Sequence, residues 1–232
     1  PPTSTSGAPT DGHEYTRLEN GNVLIDTYRP RTGVDLTSVG GPRDAGVLDG
    51  EIQEFTPSGK VVWTWNSGDH VPLEDTPPRW WKRILGNPHP DADGNERYDI
   101  FHLNSIEPRG PGMLVVSSRH TDKVFGISRK TGGILWNFGG RPDPRSLKVE
   151  GTDPLADYPI AGNHDTRIAG NLLSVHDSGT NLGRSPRALR YRIDLKAGTA
   201  TYAGQFTDPA IRRSHCCGGF TRCARSATGS GQ

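Results

Sequence analysis

The chain has 232 residues, 31% of them hydrophobic by strict count, with 30 glycines and 19 prolines; this much apolar material argues against a disordered chain, and the Gly and Pro content implies a turn every few residues. Its 27 basic and 26 acidic residues nearly cancel, with no block of like charge before the last twenty or so positions, unlike a dedicated nucleic-acid or acidic-membrane binder. No run of 18 apolar residues is present, so no transmembrane helix is expected.

Residues 1–12, PPTSTSGAPTDG, read as a solvated, disordered linker rather than a start methionine or a signal peptide, and the true N-terminus is expected to lie upstream. From residue 13 the chain repeats. Three segments open on a histidine and, nine to twelve residues on, reach a turn and an apolar strand: His13 before GNVL at 21–24, His102 before PGML at 111–114, and His164 before GNLL at 170–173. Each is followed by a strand, a Gly-containing turn and a strand, at 50–65, 123–138 and 188–206. Their alternating apolar positions, such as Val61, Trp63 and Trp65, suit half-buried strands.

The unit is four antiparallel strands in about 40 residues, the period of a β-propeller blade. The expected fold is therefore all-β, a partial propeller over 13–215. Two insertions interrupt it: TGVDLTSVGGPRDAG after Tyr28, and the segment from Pro72 to Arg97, where RWWKRIL reads as a short helix. A closed propeller takes roughly four to eight blades, whereas three are legible, with the start of a fourth after Phe206. The chain is thus expected to be part of a larger propeller, or to close by self-association into a homo-oligomer. Residues 216–232 have no strand pattern and read as an irregular, truncated or frameshifted tail. They hold Cys216, Cys217 and Cys223; adjacent cysteines rarely bridge and no CxxC pair suggests zinc, leaving a Cys216–Cys223 or a Cys217–Cys223 bridge open.

If first strands line a common channel, His13, His102 and His164 converge on it. They serve there either as capping residues, as a three-histidine metal site, or as a catalytic group. A metal site would want nearby carboxylates, and only Asp165 is evident. His102 and Asn104 are two apart, so on a strand they share a face, with Arg119 expected on the next strand. Imidazole, amide and guanidinium together suit a tetrahedral oxyanion. His164 would be a competent nucleophile if Asp165 or the backbone held its tautomer.

The segments HEYTRLENGNVLI, VGGPRDAGVLDGEIQEFTPSGKVVWTWNSGDHVPLEDT, YDIFHLNSIEP, LVVSSRHTDKVFGISRKTGGILWNFGGR, GNHDTRI and SPRALRYRIDL resemble, in order and spacing, the arylsulfotransferase family, in its PAPS-independent arylsulfate sulfotransferase branch. The resemblance implies a six-bladed propeller with its site in the central channel, exported from the cytoplasm. It implies transfer of a sulfuryl group from an aryl sulfate ester to a phenolic acceptor by a ping-pong route. In that route His164 is the nucleophile, His102, Asn104 and Arg119 bind sulfate oxygens and assist the leaving group, and His13 is the first-blade active-site histidine. No cofactor and no metal is implied, and the partners are small molecules, not nucleic acid. Two motifs depart from the family pattern: Asn163 stands where Gln is usual, and Asp177-Ser178-Gly179 replaces Asp-Asn-Gly. SGKVVWTW and TGGILWNF also resemble the Trp-docking motif of quinoprotein dehydrogenases, but the acidic calcium cluster and quinone-stacking residues of such an enzyme are not seen. A catalytically silent scaffold is the other alternative.

Overall fold

The computed structural model describes residues 10–219. Its strands form three sheets in chain order. The first runs β1 (Thr10–Arg17), β2 (Val23–Val34), β3 (Ala45–Phe55), β4 (Val61–Asn66), each antiparallel to the next, with β5 (Arg97–Asp99) parallel to β3. The second is β6 (Leu103–Arg109), β7 (Met113–Ser118), β8 (Lys123–Ser128), β9 (Ile134–Gly139). The third is β11 (His164–Ala169), β12 (Leu172–Asp177), β13 (Arg187–Asp194), β14 (Thr199–Phe206), with β10 (Lys148–Glu150) parallel to β14. All three four-strand units expected from the repeats are present. The two added parallel strands are three residues long, too short for an alternation to be legible.

Two boundaries differ from expectation. Strand β1 begins at Thr10, so the last three residues of the stretch read as a linker already pair in the sheet, Thr10 opposite Thr27. No strand follows Phe206 among the described residues, so the fourth unit expected there does not start within them. Cys223, required by both disulfide readings, lies outside the described residues.

Burial follows the strand period where one face is open. Along β13, Arg187, Leu189, Tyr191 and Ile193 are buried while the residues between them are more exposed. Strand β8 instead is buried along nearly its whole length, because it lies within a sheet packed on both faces. Its Lys123 is fully buried and pairs with Asp75 at 3.1 Å and Asp143 at 3.3 Å. Gly126 on the same strand has the indole of Trp136 directly over its Cα, where any Cβ would collide with the ring.

Sheet packs on sheet in chain order. Leu24, Ile52 and Trp65 of the first meet Ile106, Leu114, Phe125 and Ile127 of the second, with Phe101 between them. Val115, Val124, Trp136 and Phe138 of the second meet Leu173, Val175, Leu189 and Tyr191 of the third. Each such side chain contributes about 1.5–3 kcal/mol on burial. Indole N–H groups staple the first interface: Trp63 Nε1 donates to the Arg129 carbonyl at 3.0 Å and Trp65 Nε1 to that of Gly132 at 2.9 Å.

The predicted helix is α1 (Pro78–Leu85), with Pro at its first turn and Lys82 and Arg83 in its last, both favourable placements. It buries Trp80, Trp81 and Ile84 against Val34, Leu36, Val47, Tyr98 and Ile100. The two insertions thus pack on each other. Through Arg79 and Trp80, α1 also reaches Asp122, in the turn between β7 and β8.

Candidate active site

The opening strands of the three sheets, β1, β6 and β11, lie side by side with β6 in the middle. Polar side chains tie them. Thr16 Oγ1 donates to the Ile106 carbonyl at 3.1 Å, and the Thr166 N–H donates to Ser105 Oγ at 3.0 Å. Glu14 accepts from Arg167 at 2.6 Å and from the Ile106 N–H at 3.3 Å. This arrangement brings together His13, His102 and His164, whose ring centroids are 5.1 Å apart for the first pair and 6.4 Å for each of the others.

His164, the first residue of β11, is buried. Its Nδ1–H donates to the Gly162 carbonyl at 2.9 Å, which leaves Nε2 unprotonated, an acceptor. Burial pushes its pKa down to about 3, so the ring is neutral at physiological pH. The Gly162 carbonyl is itself held: the Gly162 N–H donates to Asp122 Oδ1 at 2.7 Å. Gly162 has φ 61, and a Cβ there would strike Thr180. Asp165 does not orient His164; it is ion-paired with Arg167 at 2.9 Å.

His102 is not on the strand with Asn104. It sits at φ 53 in the turn before β6, and Asp99 clamps both its backbone N–H (2.9 Å) and its Nδ1 (2.5 Å). The shared-face argument therefore fails, because the left-handed residue breaks the pleat. Burial alone would raise the Asp99 carboxyl, but His102 and His120 beside it hold it well below the usual range. His13 Nδ1 is bonded to Asp11 at 2.5 Å, and this bond raises its pKa. Asp26, beside this pair, is pushed up to about 7 by burial and by the charge of Asp11.

Arg119 follows the end of β7 rather than lying on the next strand, because the chain turns at Ser118. It is buried, its guanidinium stacks 5.0 Å from the Trp80 ring centroid, and it donates to the His215 carbonyl. Its Nε has no partner among the described residues. Burial lowers its pKa, with Arg83 adding to the effect. Asn104 Nδ2 donates to the Asn163 carbonyl at 2.9 Å, so this amide holds the backbone before His164. Asn163 in turn donates to Ser117 Oγ at 2.6 Å and to the Lys123 carbonyl at 3.1 Å, spanning the second and third sheets. The Cys217 N–H donates to His164 Nε2 at 3.4 Å, a long bond. With the His215 carbonyl on Arg119, it brings the last described segment over the cluster.

All five predicted residues are in or against this cluster. Asp11, Asp99, His120 and Asp122 were missed. Asp99 stands three residues before His102 and Asp11 two before His13, while His120 and Asp122 follow Arg119 in the same motif; the proximity was legible, but the pairing of each with its partner was not.

His120 packs behind His102 with centroids 4.8 Å apart, and its Nδ1–H donates to the Asp99 carbonyl at 2.8 Å. Burial pushes its pKa down to about 3. Below pH 6.5 the unfolded chain takes up a proton that folded His120 refuses, so stability falls as the pH drops from 6.5 toward 3. At pH 5 the loss is about 2 kcal/mol. Urea unfolding at pH 7 and pH 5 should show it, and His120→Gln should shrink the difference; an equal difference in that variant would assign the effect to other groups.

The assembled groups can stabilise an oxyanion through Arg119, present an unprotonated nitrogen at His164, and move a proton through the carboxylate-backed His102. No curated protein matches the chain at a significant level. Residues 1–213 match the arylsulfotransferase (ASST) family, and with nearly the whole chain covered, this protein belongs to that family.

Proposed function

We propose that this protein transfers a sulfuryl group from an aryl sulfate ester to a phenolic acceptor through a sulfohistidine on His164. The observation that carries the reading is the fixed tautomer of buried His164, its Nδ1–H on the Gly162 carbonyl and its Nε2 turned toward two further imidazoles, accepting a long bond of 3.4 Å from the Cys217 N–H that a substrate would displace. Nε2 attacks sulfur, the N–S bond forms, and the ester S–O bond breaks. The departing phenolate takes a proton from His102, whose ring Asp99 orients. In the second half the acceptor hydroxyl gives its proton back to His102 and attacks sulfur, releasing His164.

Arg119 meets the sulfuryl oxygens in place of the His215 carbonyl, and His13, held by Asp11, faces the same side. Asn104 acts through the Asn163 backbone as a positioning residue. The family relation and the three consecutive antiparallel meanders with adjacent first strands support a propeller, of which these sheets are successive blades. Arylsulfotransferases are typically exported, and we assign this chain outside the cytoplasm on that basis.

The test is the intact mass of the protein after incubation with p-nitrophenyl sulfate, followed by peptide mapping under conditions that spare an acid-labile N–S bond. A gain of about 80 Da on His164 is expected for the covalent intermediate. Folded protein that gains no mass and releases no phenol would favour a silent scaffold. Arg119→Ala is expected to lower kcat on the order of 10²–10³-fold, the usual cost of one oxyanion donor, with partial recovery in Arg119→Lys. Transfer indifferent to both changes would put the anion site elsewhere.

A further inference from the structure

We propose that His13, His102 and His164 also form a binding site for a divalent transition metal of the zinc type, and that the bound metal switches sulfuryl transfer off. Metal binding stands on the geometry alone. The switching arm rests on the reading of His164 as nucleophile, because the metal takes the same nitrogen.

Each of the three residues offers a ligand atom, and these atoms all lie within 4.8 Å of one another. In each ring Nδ1 is already engaged: with Asp11 at 2.5 Å in His13, with Asp99 at 2.5 Å in His102, and with the Gly162 carbonyl at 2.9 Å in His164. Nε2 is therefore the nitrogen that His13 and His102 have left to give, and that of His164 accepts only a long bond of 3.4 Å from the Cys217 N–H, which a metal would displace. Metal-ligating histidines almost always donate their second N–H to a carboxylate or a backbone carbonyl, which fixes the ring and raises its basicity. All three rings here have that partner. The carboxylates a metal site needs are thus present, supplied by Asp11 and Asp99 rather than by Asp165.

Zinc–imidazole bonds of about 2.0–2.1 Å in a tetrahedron require nitrogens roughly 3.3 Å apart. The cluster needs only a modest contraction, and His13 is on an edge strand whose side chain is partly open to solvent. Three protein nitrogens leave a fourth position for water, the pattern of open zinc sites. The charge balance also suits a cation. Asp11 and Asp99 are both largely buried against the histidines, while the nearby Arg119 is engaged with the His215 carbonyl. Imidazole donors select zinc, cobalt, nickel or copper over magnesium and calcium. The groupings Asp99–His102–His120 and Asp11–His13–Asp26 share members with this site, and Asp99 and Asp11 serve as its hydrogen-bond partners.

The experiment uses the full chain, stripped with a chelator and titrated with Co²⁺ while the visible d–d absorption is read. An intense tetrahedral-type band saturating at one equivalent is expected, displaced by Zn²⁺ and indifferent to Mg²⁺. His13→Ala, on the edge strand, should abolish the band without unfolding the protein. Asp99→Asn and Asp11→Asn should each weaken Co²⁺ binding about 10–100-fold, which an adventitious surface histidine would not do. Absence of the band, or a band unchanged in His13→Ala, overturns the proposal. In the second arm Zn²⁺ should inhibit p-nitrophenyl sulfate turnover over the concentration range in which it displaces Co²⁺, and a chelator should restore it. Co²⁺ binding by a protein that never transfers sulfate would overturn the sulfotransferase reading and the switch while leaving the metal site. Turnover with no Co²⁺ site would overturn the metal proposal alone.

Discussion

Replacing His164 by alanine is expected to lower sulfuryl transfer on the order of 10⁴-fold or more, since loss of a covalent nucleophile removes the route itself. The adduct of about 80 Da should vanish with it. With a pKa held near 3 by burial, His164 needs no deprotonation in any ordinary assay, so its own titration contributes no acid limb above about pH 4. His102 should behave differently. As the proton donor to the leaving phenol, its replacement by alanine should cost about 10²–10⁴-fold with a poorly leaving phenol and much less with p-nitrophenol, which departs without help. The comparison of donors separates acid catalysis from simple positioning. Undiminished transfer in His164→Ala would remove it as the nucleophile.

Asp122→Ala is expected to destabilise the protein by about 3–5 kcal/mol, the usual cost of leaving a buried charge unpaired. Asp122 is fully buried and accepts from Arg79, from Trp80 Nε1 at 3.1 Å, from Tyr158 Oη at 2.6 Å and from the Gly162 N–H at 2.7 Å. Those donors come from α1, from the loop after β10 and from the turn before β11. Alanine would strand them all. Asp122→Asn should cost less, because asparagine tolerates the φ of 56 found here and keeps an acceptor, though it loses the charge opposite Arg79. Urea unfolding of the two variants measures the difference. Because Asp122 fixes Gly162 and Gly162 fixes the His164 tautomer, Asp122→Asn should also reduce kcat in protein that is fully folded. A loss of stability with kcat unchanged would confine Asp122 to the fold.

The repeats made the three meanders legible, because a strand, a Gly-containing turn and a second strand are local features whose period survives in the chain. They also made the three histidines legible as equivalent positions. The conformation at His102 was not. A left-handed residue at the mouth of a strand depends on Asp99 reaching back to it, and alternation assumes an unbroken pleat. Arg119 was read as a strand residue for the same reason.

What holds the cluster is a property of the folded molecule. The carboxylate behind His102 and the carbonyl behind His164 are contacts made by turns, and the carboxylate behind His13 by an irregular stretch of β1, rather than by a repeat. Asp122 lies 40 residues before Gly162 and 42 after Trp80; no pattern in the chain joins them. Composition, period and motif order were enough for fold class, family and the residues worth testing. Which nitrogen of each histidine is engaged is set by partners two or three residues away, but the conformations that bring those partners round, and the convergence of the three rings, depend on bonds such as Asp122 to Gly162 and Asn104 to Asn163 between segments distant in sequence, which exist only once the sheets have packed.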